Sequence, residues 1–274
     1  MNAVTTVIAP PRRWIDLDLS EVWQNLELLY FLVWRDVKVR YKQTALGIMW
    51  VVLQPLLGAL IFTVIFGKFA RMPSDGLPYP VFVYAALVPW TFFAAAVTRS
   101  ISILVTDAEL ISKIYFPRLI LPLAAIVSSL VDFVCAFVVL LGLMWWYQVW
   151  PTAALITVPV FLVLAAMTAL ALALWLGPLN ARYRDVGHTV PFLLQAWMFA
   201  SPVVYPVSLV PERWRVLYGL NPMAGVIEGF RWALLNNTRP QFSVMALSAV
   251  VIGALTISGI AWFKRMELTF ADVL

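Results

Sequence analysis

Between Asp132 and Arg182 the chain runs 49 residues without a charged side chain. About 20 apolar residues in a helix cross the roughly 30 Å hydrocarbon core of a bilayer. A run of this length must therefore hold two spans joined by a turn. It ends at Arg182, Tyr183, Arg184 and Asp185, an ionic cluster that reads as a short membrane-surface connection with something polar to meet.

The rest of the chain agrees with that reading. Hydrophobic residues make up 63% and charged residues 12%, against about 25% charged in ordinary globular domains. Mean hydropathy is +0.89. The apolar blocks are continuous and about twenty residues long, whereas barrel strands would alternate over roughly ten residues. The expected fold class is an all-α polytopic membrane protein. Cys135 lies inside an apolar run and has no second cysteine to pair with, and His188 has no ligand cluster around it, so thiol and metal chemistry are not indicated. The N-terminal residues up to Asp18 lack the 7 to 15 residue apolar core of a secretory signal, so no cleavage is expected. In a membrane protein the net charge of +5 reports orientation before it reports nucleic acid.

Six spans are predicted: Gly47 to Phe66, Val81 to Val97, Leu119 to Met144, Leu155 to Leu176, Val190 to about Pro206, and Phe242 to Phe263. Six crossings place both termini on one side. That side then holds thirteen basic residues (Arg12, Arg13, Arg35, Lys38, Arg40, Lys42, Arg99, Lys113, Arg118, Arg182, Arg184, Lys264, Arg265) and the other holds six (Lys68, Arg71, Arg213, Arg215, Arg231, Arg239). The positive-inside rule makes the basic side cytoplasmic. The stretch Val216 to Leu235 is apolar but contains Asn221, Pro222, Glu228 and Arg231. It reads as a re-entrant pair of short helices broken at Asn221-Pro222, inside an outer segment of about residues 207–238. Residues 1–43 form a cytoplasmic N-terminus with an interface helix, and residues 44–274 the transmembrane domain. No internal repeat is visible, which weakens the case for an inverted-repeat carrier.

Three elements face the cytosol. From Leu19 to Tyr41, apolar positions recur at spacings of three and four, with Trp23 and Tyr30 among them, opposite Arg35, Lys38 and Lys42. This amphipathic helix is too charged to span, and its basic end is expected among lipid phosphates; Asp18 and Glu21 form a capping-box pattern at its start. Thr106, Asp107, Ala108 and Glu109 read as a second capping box, opening a short helix that Pro117 ends, with Glu109 and Lys113 paired four residues apart. The third element is the Arg182 to Asp185 cluster, whose arginine forks suit carboxylates on another protein. Each has a plainer reading: a lipid anchor, a capped connector and a positive-inside anchor.

Four stretches carry a resemblance: LLYFLVWRDVKVRYKQTALGIMWVVLQPL, ELISKIYFPRLILP, LNARYRDVGHTVPFLLQAWMFASPVVYP and LNPMAGVIEGFRWALL. In this order and spacing, over nearly the whole chain, they resemble the permease subunit of type-2 ATP-binding-cassette exporters, in the branch that moves polysaccharides such as O-antigen, capsule and teichoic acid. The resemblance implies a bacterial inner-membrane homodimer working with two copies of a separate ATPase that binds ATP and Mg, and a glycan carried on a polyprenyl diphosphate. It also implies that Thr106, Glu109, Lys113, Tyr115, Arg118, Arg182, Tyr183, Arg184 and Asp185 couple to that ATPase.

The chain has no phosphate-binding loop of its own, since Gly67-Lys68 is followed by Phe69, and no cofactor is expected in it. A sugar conduit should offer aromatic faces and few fixed charges. Tyr84, Trp90, Phe93, Trp197, Phe199 and Tyr205 are candidates for its wall, with Phe92, Trp175, Gln54 and Gln195 in or near spans. Trp145, Trp146, Tyr147 and Trp150 read instead as an interfacial belt. Asp132 is the acid well inside a span and a candidate for the path, with a structural hydrogen bond to a neighbouring helix as the alternative. Glu228 and Arg231, three residues apart, are candidates with Asn221 and Pro222 for an outer gate. A drug or small-lipid exporter, a membrane-embedded glycosyl or lipid transferase, and a proton-coupled carrier resting on Asp132 stay open as rival functions. The transferase lacks the paired acids such chemistry needs.

Overall fold

The computed structural model describes residues 19–42, 47–113, 116–235 and 241–267, and among these it contains helices and no strand. The Asp18 cap, Tyr115 and Arg239 lie outside the described residues. Eleven α-helices follow in order: α1 (Leu19–Gln24), α2 (Leu26–Lys42), α3 (Gly47–Phe62, continued by a π-helical stretch, Thr63–Phe69), α4 (Tyr79–Thr106), α5 (Ala108–Lys113), α6 (Ile120–Trp146), α7 (Val158–Arg182, preceded by a 3-10 turn at Ala153–Thr157), α8 (Asp185–Ala200), α9 (Glu212–Tyr218), α10 (Pro222–Leu234) and α11 (Phe242–Glu267).

Among the described residues, five helical stretches are long and apolar enough to cross a membrane: Met49–Phe69, Tyr79–Thr106, Ile120–Trp146, Ala153–Arg182 and Phe242–Glu267. The chain is a multi-pass helical membrane protein. The predicted span at Val190 to Pro206 is a shorter element. Helix α8 starts five residues earlier and stops at Ala200 after 16 residues, about 24 Å at 1.5 Å per residue. The second predicted span is longer than expected, because α4 continues unbroken past Val97 to Thr106. The Thr106 capping box does not form: the Thr106 hydroxyl donates back to the Ser102 carbonyl inside α4, and Asp107 is the residue that ends that helix.

Helix α4 is the hub. It packs against α3, α6, α7, α8 and α10, and Phe82, Tyr84, Phe92, Phe93 and Ala96 are fully enclosed. Lipid tails are as apolar as leucine, so close fit rather than exclusion of water holds such helices together. Helix α7 supplies that fit with small residues every four positions, Ala165, Ala169, Ala173, Gly177 and Ala181, all buried; a Cβ on Gly177 would meet Leu104 of α4 at 3.3 Å. Helix α10 is buried along nearly its whole length against α4, α7 and α11. Its close approach to α7 depends on Gly229, where a side chain would run into the ring of Phe161.

The connections define two ends. One, the basic end, holds α2, the α4–α5–α6 connection, the α7–α8 turn and the end of α11, which Arg118 reaches by donating to the Glu267 carbonyl at 2.6 Å. The opposite end holds residues 70–78, the turn before α7, and everything from Ser201 to Leu235. A second core cluster lies at the basic end, where Leu32 of α2 packs among Ile103, Leu104, Phe116, Ile120, Leu121 and Phe263.

Candidate functional site

At the basic end α2 is tied to the bundle by charge. Arg35 pairs with Asp107 at 2.6 Å and with its neighbour Asp36 at 3.0 Å. Burial opposes the Arg35 charge, but the hydrogen bonds to Asp107 and Asp36 and the pull of both carboxylates outweigh it and raise its pKa. One and a half turns on, Arg40 reaches Asp132 of α6 at 2.9 Å and the Tyr41 hydroxyl donates to the other oxygen of the same carboxylate. Burial, reinforced by that hydrogen bond, pushes the Tyr41 phenol up to about 12. The basic side of α2 therefore meets carboxylates of the bundle, where lipid phosphates were expected. Lys38 instead sits over the Trp34 ring at 4.0 Å, and Lys42, Trp23 and Tyr30 are exposed.

Asp132 has a third partner that sequence reasoning overlooked. Arg99 of α4 approaches the oxygen already shared with Arg40, at 2.7 Å, and also donates to the Ser129 hydroxyl at 2.8 Å. Arg40 donates to the Ser128 hydroxyl at 3.3 Å. One carboxylate thus serves two guanidiniums and a phenol. The signal was present: an arginine seven residues inside the end of a long apolar helix needs a partner at the same depth, and Asp132 was the acid available.

These residues form one end of a cleft of about 740 Å³, a volume in the range of small-ligand sites. Its walls come from α3 (Trp50, Gln54, Pro55), α4 (Trp90, Thr91, Phe92, Thr98), α6 (Phe133, Ala136) and α8 (Pro191, Leu194, Gln195, Met198). Of the predicted path residues, Trp90 and Asp132 line the cleft. Trp197 stands behind Trp90, edge-on to it at 6.2 Å and to Phe93 at 5.5 Å. Tyr84 and Phe93 are enclosed in the core. Phe199 is exposed and meets Phe62 edge-on, and the Tyr205 hydroxyl hydrogen-bonds that of Tyr218 at 2.8 Å.

Of the predicted coupling residues, Thr106, Glu109, Lys113 and Arg182 to Asp185 are exposed at the same end, and Arg118 is half-buried. Glu109 and Lys113 form their pair at 3.0 Å, both well exposed. Arg182, Tyr183, Arg184 and Asp185 are exposed on a two-residue elbow between α7 and α8, with the Arg182 guanidinium 5.4 Å from the centre of the Tyr183 ring. The elbow is held from beneath by Asn180, which sequence reasoning missed. Its amide donates to the Ile101 carbonyl of α4 at 3.0 Å, and its oxygen accepts from the Gly187 backbone at 2.7 Å. A Cβ at position 187 would crowd that oxygen at 2.9 Å. Asn180 thereby ties the α7–α8 elbow to the last two turns of α4.

The opposite end is built around Arg231, which is fully buried. Its guanidinium lies 3.5 Å from the centre of the Phe82 ring and donates to the carbonyls of Pro202 and Val203, each at 2.6 Å, of Phe82 at 3.2 Å and of Tyr205 at 3.4 Å. These carbonyls, rather than Glu228 three residues away, hold the guanidinium. Burial pulls Arg231 down to about 10 and pushes Glu228 up to about 7, against the attraction between them. Asn221 caps α10 by accepting from the Met223 backbone, accepts as well from the Trp197 indole at 3.0 Å, and donates to Ser201; Pro222 occupies the first helical turn. These contacts fasten the end of α8 to the start of α10.

Known proteins show the same arrangement of sequence. The chain is 31% identical over 252 residues to the O-antigen export system permease protein RfbA of Myxococcus xanthus, spanning 91% of this chain and 96% of that one. It is 27% identical over 251 residues to the protein of the same name from Klebsiella pneumoniae, spanning 90% and 95%. The polysialic acid transport protein KpsM of Escherichia coli is 25% identical over 212 residues, spanning 73% and 78%. Residues 27–235, from the start of α2 to the end of α10, match the family described as ABC-2 type transporter. With its long helices, charge-tied α2 and cleft between spans, the chain belongs to the ABC-2 type transporter family.

Proposed function

We propose that this chain is the permease of an exporter that moves a polysaccharide, carried on a polyprenyl diphosphate, across the bacterial cytoplasmic membrane. Two copies form the conduit, and two copies of a separate ATPase bind ATP and Mg and drive it. The observation that carries this reading is the match, nearly end to end, to relatives named for O-antigen export.

The geometry supports the finer points. Among the described residues the basic end carries Arg35, Lys38, Arg40, Lys42, Arg99, Lys113, Arg118, Arg182, Arg184, Lys264 and Arg265, eleven against the five at the other end, Lys68, Arg71, Arg213, Arg215 and Arg231. Such an excess favours a cytoplasmic basic end. Helix α8 leaves that end and α11 begins at the other, so α8 with residues 201–206 makes the sixth crossing, and α9 and α10 are the re-entrant pair at the outer mouth. Helix α3 leaves Trp50, Leu53, Leu57 and Leu60 exposed, and α8 leaves Phe192 and Leu193 exposed, faces suited to lipid or to a second copy.

The cleft combines aromatic faces with Gln54 and Gln195, which suits sugar rings and their hydroxyls. ATP-driven closure of the ATPases would push on the Glu109–Lys113 helix and the Arg182 to Asp185 elbow, which Asn180 ties to α4, a wall of the cleft. The test is reconstitution of the chain with its ATPase in proteoliposomes. Lipid-linked glycan should move only with ATP, and Arg184→Glu should leave ATP hydrolysis while stopping transport. Normal transport by that variant would sink the coupling role, and product formation without ATPase would favour a transferase.

A further inference from the structure

We propose that Arg40 and Arg99 form a binding site for the phosphate oxygens of a diphosphate headgroup, and that Asp132 is a resident counter-ion which the ligand displaces. The inference rests on the export reading for the source of the phosphate. The site itself rests on geometry.

Two guanidiniums converge on one oxygen of Asp132, at 2.9 and 2.7 Å. The Tyr41 hydroxyl takes the other oxygen, and the Ser128 and Ser129 hydroxyls each accept one further guanidinium N–H. Two guanidiniums share this carboxylate at the end of a cleft whose other lining residues are uncharged. Charge at such depth is expensive unless something negative meets it. The arginine side chains stay 23% and 31% exposed, so their forks are reachable from the cleft.

The competition with Asp132 selects the ligand. A sugar carboxylate brings the same two oxygens and single charge as Asp132, and it loses to a carboxylate already tethered in place. A phosphate or diphosphate brings more charge and more oxygens, matching two guanidinium forks and a phenol at once. Beyond the arginines the cleft continues over Trp50, Pro55, Phe133, Leu194 and Met198, surfaces that fit an apolar chain attached to that headgroup. Displacing Asp132 also removes the bonds by which it holds Arg40 and Tyr41, in the last turn of α2, to α6. Arrival of the headgroup is thereby reported to the interface helix.

The experiment uses the full chain in lipid nanodiscs, titrated calorimetrically with farnesyl diphosphate, inorganic diphosphate, farnesol and glucuronate. Farnesyl diphosphate should bind wild type. Arg40→Gln and Arg99→Gln should each weaken it about tenfold or more, and Arg99→Lys, which keeps the charge and loses the fork, by less. Asp132→Asn should tighten it several-fold, because the internal competitor has lost its charge. A merely structural role for Asp132 predicts the opposite sign. Farnesol and glucuronate should bind weakly and equally in all variants.

Inorganic diphosphate that binds as tightly as the farnesyl ester would assign the site to a soluble phosphate and overturn the lipid source. Absent binding by wild type, or affinities indifferent to these substitutions, would overturn the site. ATP-dependent export by the reconstituted complex would then still stand. Thermal midpoints of each variant identify one that has not folded, and the remaining substitutions then decide.

Discussion

Two arginine centres hold this protein together, and they solve the same problem in opposite ways. Arg231, at one end, is sealed from every surface and donates to four backbone carbonyls while stacking on Phe82. Arg40 and Arg99, toward the other, share one carboxylate and face a cleft. Backbone carbonyls cannot leave and carry no net charge to exchange, so the first centre is a clamp. A carboxylate can be replaced by another anion, so the second is exchangeable. The contrast separates structure from function more sharply than burial does.

The largest expected effect is at the clamp. Arg231→Leu leaves the buried carbonyls of Pro202 and Val203 without their donor, at about 1 to 3 kcal/mol each. Folded protein should fall below detection in membranes, and a variant with a wild-type thermal midpoint would break the comparison at its strong end. The next effect is carried by Glu228 beside it. Its folded pKa of about 7 lies above the ordinary 4.5, so between those values the folded state holds the proton more tightly. Stability should therefore be highest below about pH 4.5, fall as pH rises, and level off above about 7, by at most about 1.4 kcal/mol per pH unit. Thermal melts of Glu228→Gln against wild type across that range should show the slope removed. A wild-type curve rising relative to the variant contradicts it.

At the exchangeable centre the effect should be smaller. Arg40→Gln leaves Arg99 paired with Asp132, and the stability loss should be about 1 to 2 kcal/mol, well below that of Arg231→Leu in the same melts. The smallest belongs to the solvent-facing pair. Lys113→Ala removes an exposed contact with Glu109 and should leave the thermal midpoint unchanged; a clear drop would mean that surface charge, rather than the two centres, holds the basic end.

Much of this was legible in the chain, and the failures have a common cause. Hydropathy located the long helices, because a segment in lipid must be apolar over its own length. It bounded the sixth span at Val190 to Pro206, whereas the helix there runs from Asp185 to Ala200 and Ser201 to Pro206 turns to supply carbonyls to Arg231. It grouped Glu228 and Arg231 as gate candidates from their three-residue spacing, and could not show that Arg231 turns to groups 26 to 149 residues away. The Thr106 capping box failed in the same way, because α4 runs on to Thr106 itself and ends there. Asn180 gave no sequence signal at all: its value lies in meeting Ile101 and Gly187 at once.

By itself the sequence determined that this chain lives in a membrane, that it is helical, where its charged faces lie, and which family it resembles. Those are properties of segments, fixed by local composition and period. Only the tertiary structure decided that Arg40, Tyr41, Arg99 and Asp132 share one site at the head of a cleft, and that Arg231 is walled in. The partners come from three helices up to 92 residues apart in one case and from backbone atoms in the other. No periodicity records such pairings, because they form only when the helices pack.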